Sequence, residues 1–152
     1  MNFKISKLDA GADRRDFGDA VNILSLCVGF DAQRQLSEYV QNPAVRVFCA
    51  RSIPSDERLC GIILIMISFE SCDILDIAVD SAYRRRGAAK ALLEYASSYC
   101  KERGVKEQLL EVRLSNTAAR AFYERAGFEE IARRRNYYSV PVEDAAVLRR
   151  RI

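Results

Sequence analysis

The sequence predicts a mixed α/β (α+β) fold, in which helices flank one central, partly parallel sheet within a single domain, residues 1–152. The predicted order of elements is β-α-α-β-β-β-α-β-α-β-β. A strand at 73–80, a helix at 87–103 and a strand at 107–114 form a β-α-β unit, so these strands should be parallel with a right-handed crossover. The chain also shows no repeat, linker or composition break, and its 152 residues suffice for one core.

The amino-terminal part is predicted to hold one strand and two helices. Residues 3–8 alternate apolar and polar side chains, which is typical of a short strand. The segment 12–28 is expected to be a helix ending at Gly29, and a weaker helix is expected at 32–42. The apolar residues at helical spacing in the first helix are Phe17, Val21, Leu24 and Val28.

A pair of apolar strands follows these helices. Residues 44–52 and 58–69 are rich in apolar side chains, and the turn at 53–57 between them contains a proline. The longest apolar run, at 60–69, is about half the length of a membrane-spanning helix, so a central strand is the better interpretation.

The carboxyl-terminal half is predicted to complete the sheet. The helix at 87–103 should end at Gly104, and its expected buried face is formed by Ala88, Leu92, Tyr95 or Ala96, and Tyr99. A short helix at 115–127 should begin at Ser115 or Asn116 and end at Gly127. Strands at 128–139 and 143–152 should follow it.

Composition excludes several classes of protein. The net charge is +3, from 24 basic and 21 acidic residues, which is too small for a dedicated nucleic-acid binder. The chain has no histidine and no C-x-x-C spacing, so no metal site is expected. The five cysteines are expected to be buried or half-buried thiols in a reducing compartment. The first residues have no apolar signal core, so we expect a cytoplasmic protein without a membrane partner.

Three arginines and a glycine, residues 84–87, lie where the strand at 73–80 gives way to a helix. The first amides of a helix have no intrahelical partner, and the helix dipole adds positive charge there. Gly87 would let a ligand approach the backbone closely, and a pyrophosphate group suits such a site. The alternative is a solvated arginine turn before an ordinary helix. The Walker and dinucleotide-binding glycine patterns are both missing here.

The segment YRRRGAAKALL resembles the R/Q-x-x-G-x-G/A motif of the GNAT N-acetyltransferases, with Arg84, Gly87 and Ala89 in its three defined positions. LDIAVD precedes it, and LLEVRLSNTAARAFYERAGF and RRNYY follow it in the order seen in that family. Together these segments resemble the ribosomal-protein-alanine N-acetyltransferase (RimI) branch over residues 73–138, with a weaker similarity at 143–145.

The resemblance implies an acetyl-CoA-dependent N-acetyltransferase in which the coenzyme crosses the turn and the adjoining strand. The implied coenzyme-binding residues are Ile77, Ala78, Val79, Arg84, Arg85, Arg86, Gly87, Ala88, Ala89, Lys90 and Asn116. Ile77 and Val79 would act through their backbone, where that family's strand separates from its parallel neighbour. Asn116 would also serve as an ordinary helix N-cap.

Acetyl transfer to an amine requires a base, and a chain without histidine must use another group. Glu111 lies in an apolar strand, where partial burial would raise its pKa into a useful range. An ion pair of Glu111 with Arg113 or another arginine is the alternative. An α-amino group, with a pKa near ~8, is easier for a carboxylate to deprotonate than lysine at ~10.4, which favours an N-terminal acceptor.

Tyr123 is the residue that the resemblance places near the coenzyme sulfur, as the acid for the leaving thiolate. A phenol at pKa ~10 donates uphill to a thiolate at ~8.5, so either arginines lower the pKa of Tyr123 or the phenol mainly donates a hydrogen bond. A core tyrosine is the alternative. Tyr137 and Tyr138 resemble acceptor-groove tyrosines, and half-buried strand aromatics are the alternative there.

The predicted acceptor is the N-terminal segment of a protein, of the ribosomal-protein-alanine kind, acetylated directly in a ternary complex with acetyl-CoA. A small-molecule amine such as a polyamine, amino acid or antibiotic is the alternative within the family. A non-enzymatic RNA- or ribosome-binding module that uses the arginine runs at 84, 133 and 149 is the alternative from another class.

Overall fold

The computed structural model describes residues 2–27, 31–54 and 58–152 of the chain. Within these ranges the strands are β1 (Asn2–Leu8), β2 (Val45–Ile53), β3 (Leu59–Ser68), β4 (Ser71–Val79), β5 (Glu107–Arg113), β6 (Glu129–Ser139) and β7 (Val142–Arg151). The helices are α1 (Arg14–Leu24), α2 (Ala32–Gln41), α3 (Ala88–Lys101) and α4 (Thr117–Arg125), with a 3₁₀ turn at Ser81–Tyr83. The strands form one mixed sheet in the order β1-β2-β3-β4-β5-β7-β6.

The predicted order of elements and the partly parallel sheet are confirmed. The 3₁₀ turn was not predicted. It begins at Asp80, whose carboxylate accepts a hydrogen bond from the amide of Ala82 at 2.9 Å. The predicted helix end at Val28 and Gly29, and most of the predicted turn at 53–57, lie outside the described residues.

Two apolar layers enclose the sheet. On one face, α3 and α4 pack against the strands, and the buried residues on that side include Leu92, Leu93, Ala96, Leu110 and Tyr123. On the other face, α1 and α2 pack with Ile23, Leu24, Leu36, Ile62 and Leu64 at the centre. Ala96, rather than Tyr95, lies on the buried face of α3, because Tyr95 keeps 41% of its surface exposed.

The two parallel strands, β4 and β5, separate soon after they begin. They are in register at three residue pairs, of which the last is Asp73 with Leu109. Beyond that pair β4 continues to Val79 and stays paired with β3. Strand β5 continues to Arg113 and stays paired with β7. A bulge at Leu75 interrupts the β3–β4 register, and bulges bend the strand that carries them. A gap therefore opens in the middle of the sheet.

Polar contacts tie the closed end of this gap together. The buried Gln108 on β5 accepts hydrogen bonds from Arg150 on β7 at 2.7 Å and from the hydroxyl of Ser97 on α3 at 3.0 Å. Arg150 also donates to the carbonyl of Ala126, at the end of α4, at 2.8 Å. Since buried polar groups that lose their partner are costly, these bonds favour one arrangement of α3, α4 and the two strands.

The cysteines are free thiols, as expected for a reducing compartment. Four of them, Cys49, Cys60, Cys72 and Cys100, are buried, but Cys27 is exposed, and for Cys27 the prediction of a buried or half-buried thiol was wrong. In the described part of the chain, no three Cys, Asp or Glu side chains are grouped as metal ligands. No described helix is both long enough and apolar enough to span a membrane.

Candidate active site

The gap between β4 and β5 is bordered by backbone that has left the strand pairing. The predicted residues Ile77, Ala78 and Val79 lie on its β4 edge, beyond the last residue paired with β5. Peptide groups at such an edge are able to bond an extended ligand laid between the strands. The carbonyl oxygen of Ile77 already accepts a hydrogen bond from the thiol of Cys27, at 3.6 Å.

The amino end of α3 is bare, as the sequence predicted. Gly87 precedes the helix with a φ of 94°, a left-handed conformation that favours glycine, and provides no side-chain cap. The first helical hydrogen bond runs from the amide of Ala91 to Gly87. Among the described residues no acceptor meets the amides of Ala88, Ala89 and Lys90. A Cβ added at Gly87 would meet no atom within 4 Å, so the space before the helix is open.

The predicted cationic residues surround this helix end, and they differ in the partners that their side chains contact. Arg84, Arg85 and Arg86 are all exposed. The Nε of Arg84 donates to the carbonyl of Val79 at 3.2 Å, which ties the turn to the end of β4. Arg86 lies 5.9 Å from the centre of the Tyr83 ring, and Lys90 pairs with Glu94 at 3.8 Å on the helix surface. Arg85 and Arg86 are therefore the arginines best able to turn toward a ligand.

Glu111 lies on the β5 face opposite to the buried Leu110 and Val112, as the alternation predicted. Both of its carboxylate oxygens are engaged. Oε1 pairs with Arg134 at 3.0 Å, and Oε2 accepts a hydrogen bond from the hydroxyl of Tyr137 at 3.0 Å. The ion pair considered as the alternative is thus present, with an arginine of β6, while 32% of the Glu111 side-chain surface stays exposed.

Tyr123 has the packing of a core residue, which was the alternative considered for it. It is 6% exposed, and its ring packs edge-on against Phe122 and Phe128 at 5.1 and 5.4 Å between ring centres. Burial raises its pKa, and the charges of Asp76 and Cys27 raise it further. The idea that arginines lower this pKa was wrong, and donation of a hydrogen bond by the phenol, the other prediction for Tyr123, stays a prediction.

Asn116 caps α4, which decides between the two predicted starts of that helix. Its Oδ1 accepts a hydrogen bond from the amide of Ala119 at 3.2 Å. Ser115 instead donates its amide to Oε1 of Glu143 at 2.6 Å. The other oxygen of Glu143 pairs with Arg113 at 3.2 Å, so this carboxylate joins β7 to the end of β5. Contact of Asn116 with the coenzyme stays a prediction.

Tyr137 and Tyr138 lie side by side on β6, facing the end of β5. Their rings meet at 90° with 5.0 Å between centres. Tyr137 is 48% exposed, and its hydrogen bond to Glu111 is the first cause of its raised pKa. Tyr138 is half-buried beneath the guanidinium of Arg113, 4.1 Å from the ring centre. Both tyrosines therefore lie near Glu111, and their contact with an acceptor stays a prediction.

Asp76 is a residue of this region that sequence reasoning missed. It lies on β4 beyond Asp73, opposite Leu64 of β3, and its side chain is half-buried. Burial raises its pKa to about 6. Glu111 was singled out as a carboxylate within an apolar predicted strand. Asp76 in LDIAVD shows the same feature, so the sequence could have indicated it as well.

A second hollow, of about 640 Å³, lies outside the gap. It is formed by the outer face of α4 and the start of β6, with Thr117, Arg120, Glu124, Phe128 and Glu130 among its lining residues. None of the predicted coenzyme-binding residues borders it. Its lining carries carboxylates, which repel a phosphorylated ligand, so the gap beside α3 remains the better candidate site.

Comparison with known proteins adds independent evidence. Residues 19–128 match the family model described as "Acetyltransferase (GNAT) family". The chain is 38% identical over 98 residues to a [ribosomal protein bS18]-alanine N-acetyltransferase of Salmonella typhimurium, and 39% identical over 93 residues to that of Escherichia coli. The matches cover 63% and 60% of this chain, and 66% and 63% of those relatives, which is less than two thirds of their length.

The fold comparison extends over nearly the whole chain. The crystal structure of the ribosomal-protein-S18-alanine N-acetyltransferase from Escherichia coli superposes with a TM-score of 0.83 at 30% sequence identity. The superposition covers 99% of this chain and 94% of that one. The amino-terminal segment, which lies outside the sequence resemblance at 73–138, therefore follows the same architecture as the rest.

Proposed function

Because the chain belongs to the acetyltransferase (GNAT) family, we propose that it transfers the acetyl group of acetyl-CoA to the N-terminal α-amino group of a protein. The resemblance found in the sequence is confirmed at the level of the family. The names of the curated relatives point to alanine of ribosomal protein bS18, and this is the acceptor that we propose here. The main support in the structure is the gap between β4 and β5, which has a bare helix end beside it and polar catalytic candidates on both strands.

The proposed donor site uses the backbone more than side chains. The pyrophosphate of acetyl-CoA would bond the amides of Ala88, Ala89 and Lys90, which need acceptors, and would gain from the charges of Arg85 and Arg86. The pantetheine arm would lie along β4 at Ile77, Ala78 and Val79, in the place of the missing parallel neighbour. This extended fit brings the thioester toward Asp76 and Tyr123.

The proposed acceptor site lies where side chains of β5 and β6 meet across β7, the strand between them. Tyr137 and Tyr138 would border the peptide, and Glu111 would attract its positively charged amino group. The guanidinium of Arg134 beside Glu111 would repel a second positive charge, which disfavours polyamines and lysine-rich acceptors. An α-amino group also needs less help to lose its proton than a lysine side chain.

The proposed chemistry is direct transfer in a ternary complex. Glu111 takes a proton from the acceptor ammonium, directly or through water, and the amine attacks the thioester carbon. Tyr123 donates a hydrogen bond to the sulfur that leaves, in keeping with its raised pKa. We assign the protein to the cytoplasm, where acetyl-CoA and newly made ribosomal proteins meet and where its thiols stay reduced.

The purified protein should acetylate a peptide with the N-terminal sequence of bS18 in the presence of acetyl-CoA. Mass spectrometry of the product should place one acetyl group on the α-amino nitrogen. The same peptide with a blocked N-terminus and a free internal lysine, together with spermidine and free lysine, provides the matched controls. Acetylation of spermidine or of the blocked peptide at an equal or higher kcat/KM would contradict an N-terminal acceptor.

Replacing Glu111 by Gln should lower kcat by roughly 100-fold, the usual contribution of a general base, while Kd for acetyl-CoA stays unchanged. Glu130→Gln is the matched control, because Glu130, on β6 of the same sheet, also pairs with two arginines, Arg120 of α4 and Arg133 of β6. Stopped-assay kinetics and calorimetry measure the two quantities. If Glu111→Gln raised KM for the peptide without lowering kcat, Glu111 would be an anchor for Tyr137 and Arg134 and not a base.

The double variant Arg85→Ala/Arg86→Ala should weaken acetyl-CoA binding by about 10- to 100-fold, the cost of losing one or two charge-assisted contacts to phosphate. Arg125→Ala/Arg151→Ala removes the same charge from exposed positions at the end of α4 and the end of β7, and should leave Kd unchanged. Calorimetry with CoA at two salt concentrations measures both. Equal weakening in the two double variants would mean that only net charge matters.

A further inference from the structure

The turn between β6 and β7, residues 140–141, is tied to the end of β5 by one arginine. Nη1 of Arg113 donates to the carbonyl of Pro141 at 3.1 Å, and Nη2 donates to the carbonyl of Val140 at 3.1 Å. The same guanidinium lies on the ring of Tyr138, 4.1 Å from the ring centre. Because a guanidinium is planar and carries several donors, it can hold a backbone turn and an aromatic ring at once. Arg113 therefore fixes the turn relative to β5.

Glu143 completes this joint and extends it to α4. Its Oε2 pairs with Nη1 of Arg113 at 3.2 Å, and its Oε1 accepts a hydrogen bond from the amide of Ser115 at 2.6 Å. Ser115 directly precedes Asn116, the N-cap of the helix that carries Tyr123. Only 29% of the Arg113 side chain and 18% of the Glu143 side chain are exposed, so solvent screens this pair less than an ion pair on an open surface.

The Arg113–Glu143 joint lies on the same side of β5 as the proposed base. Glu111 and Arg113 are two residues apart on this strand, and the alternation of side chains places both on one face. Tyr137, whose hydroxyl donates to Glu111, packs against Tyr138, the ring on which Arg113 lies. The joint is thus connected through two tyrosines to the carboxylate that would meet the acceptor amine.

The turn is also fixed from its β6 side, and it presents apolar side chains to solvent. Asn136 has a φ of 50° where the β6–β7 register shifts, and its amide donates to Oδ1 of Asp144 on β7 at 2.8 Å. Val140 is 85% exposed and Val142 is 66% exposed. A turn that is already ordered can contact a peptide without the entropy cost of becoming ordered on binding.

We propose that Arg113 and Glu143 are positioning residues that set acceptor specificity, because they hold the β6–β7 turn where it contacts the acceptor residues beyond the first. This role rests on the N-terminal acetylation proposed above and adds to it a reason for preferring a peptide to a small amine. An extended peptide spans ~3.3 Å per residue and reaches the turn, whereas a small amine bound at Glu111 does not.

The test compares Arg113→Met with Arg103→Met, a matched control beyond the end of α3. The guanidinium of Arg103 also lies on a tyrosine ring, 3.4 Å from the centre of Tyr99, and donates to the Tyr99 carbonyl at 3.0 Å. It also has a glutamate partner, Glu102 at 3.8 Å. The two variants therefore lose the same kinds of contact, but only Arg113→Met loses them beside Glu111.

Two acceptors separate positioning from a general structural role. One is a peptide with the N-terminal sequence of bS18, and the other is alaninamide, which has an α-amino group and no further residue. Arg113→Met should raise KM for the peptide by about 10- to 30-fold, the scale of losing a preorganised contact, with kcat within about threefold of the wild type. The kcat/KM for alaninamide and Kd for acetyl-CoA should change less than about threefold, as should every quantity in Arg103→Met.

Two results would overturn the proposal. Equal losses of kcat/KM for the peptide and for alaninamide in Arg113→Met would show that Arg113 only supports the fold. An unchanged KM for the peptide would show that the turn does not contact the acceptor.

A double-mutant cycle tests whether the two residues act as one joint. Glu143→Gln should raise KM for the peptide less than Arg113→Met does, because glutamine can still accept the hydrogen bond from the amide of Ser115. The double variant should match Arg113→Met within about threefold, since the same joint is lost only once. Multiplied losses would show that Arg113 and Glu143 act independently and would refute the joint.

The wild-type protein provides a test that does not depend on the folding of any variant. Its kcat/KM should rise by at least about 10-fold from alaninamide to a four-residue peptide of bS18, because only the longer acceptor reaches the turn. Equal values would overturn the role of the turn and leave N-terminal acetylation standing. A wild-type protein that acetylates no α-amine would instead refute the proposed function, and with it the role of the joint, so the two failures are distinguishable.

Discussion

The early separation of β4 and β5 is the constraint on which the rest of this structure depends. A parallel pair that stops after three residue pairs leaves backbone groups of both strands without sheet partners. Such groups are costly to bury and must be satisfied by a ligand or by water. The bulge at Leu75, the Gln108–Arg150 contacts and the α3 packing all maintain this opening. The central sheet is thereby both the core of the fold and the wall of its site.

Charge is divided along the gap in a way that suits an acyl transfer. Positive side chains and bare helix amides surround the end next to α3, and carboxylates and tyrosines surround the other end. The two ends are joined by the stretch from Asp76 to Val79, which at the rise of a strand spans ~10 Å. A long carrier with a charged head and a reactive tip matches this division, whereas a compact ligand would meet only one end.

Much of the fold could be predicted from the sequence because the strong local signals agreed with the global arrangement. The β-α-β unit around α3 and the cap at Asn116 rest on periodicity and capping, and both were confirmed.

The site was harder to predict than the fold. Glu111 could be placed on the correct face, but its partners Arg134 and Tyr137 come from β6, and no local pattern states which strand faces it. The raised pKa of Tyr123 could not be predicted for the same reason, since its burial, and then the charges of Asp76 and Cys27, arise only in the folded chain. The charge of Asp76 within its apolar run was visible in the sequence, whereas the bulge beside it is not revealed by sequence periodicity.

A crystal structure with CoA bound tests the central claim most directly. The account predicts that the pantetheine arm lies between β4 and β5 with bonds to the backbone of Ile77 or Val79. The pyrophosphate should accept hydrogen bonds from the amides of Ala88, Ala89 or Lys90. CoA bound in the hollow between α4 and β6, or a complex in which β4 and β5 pair along their whole length, would contradict it.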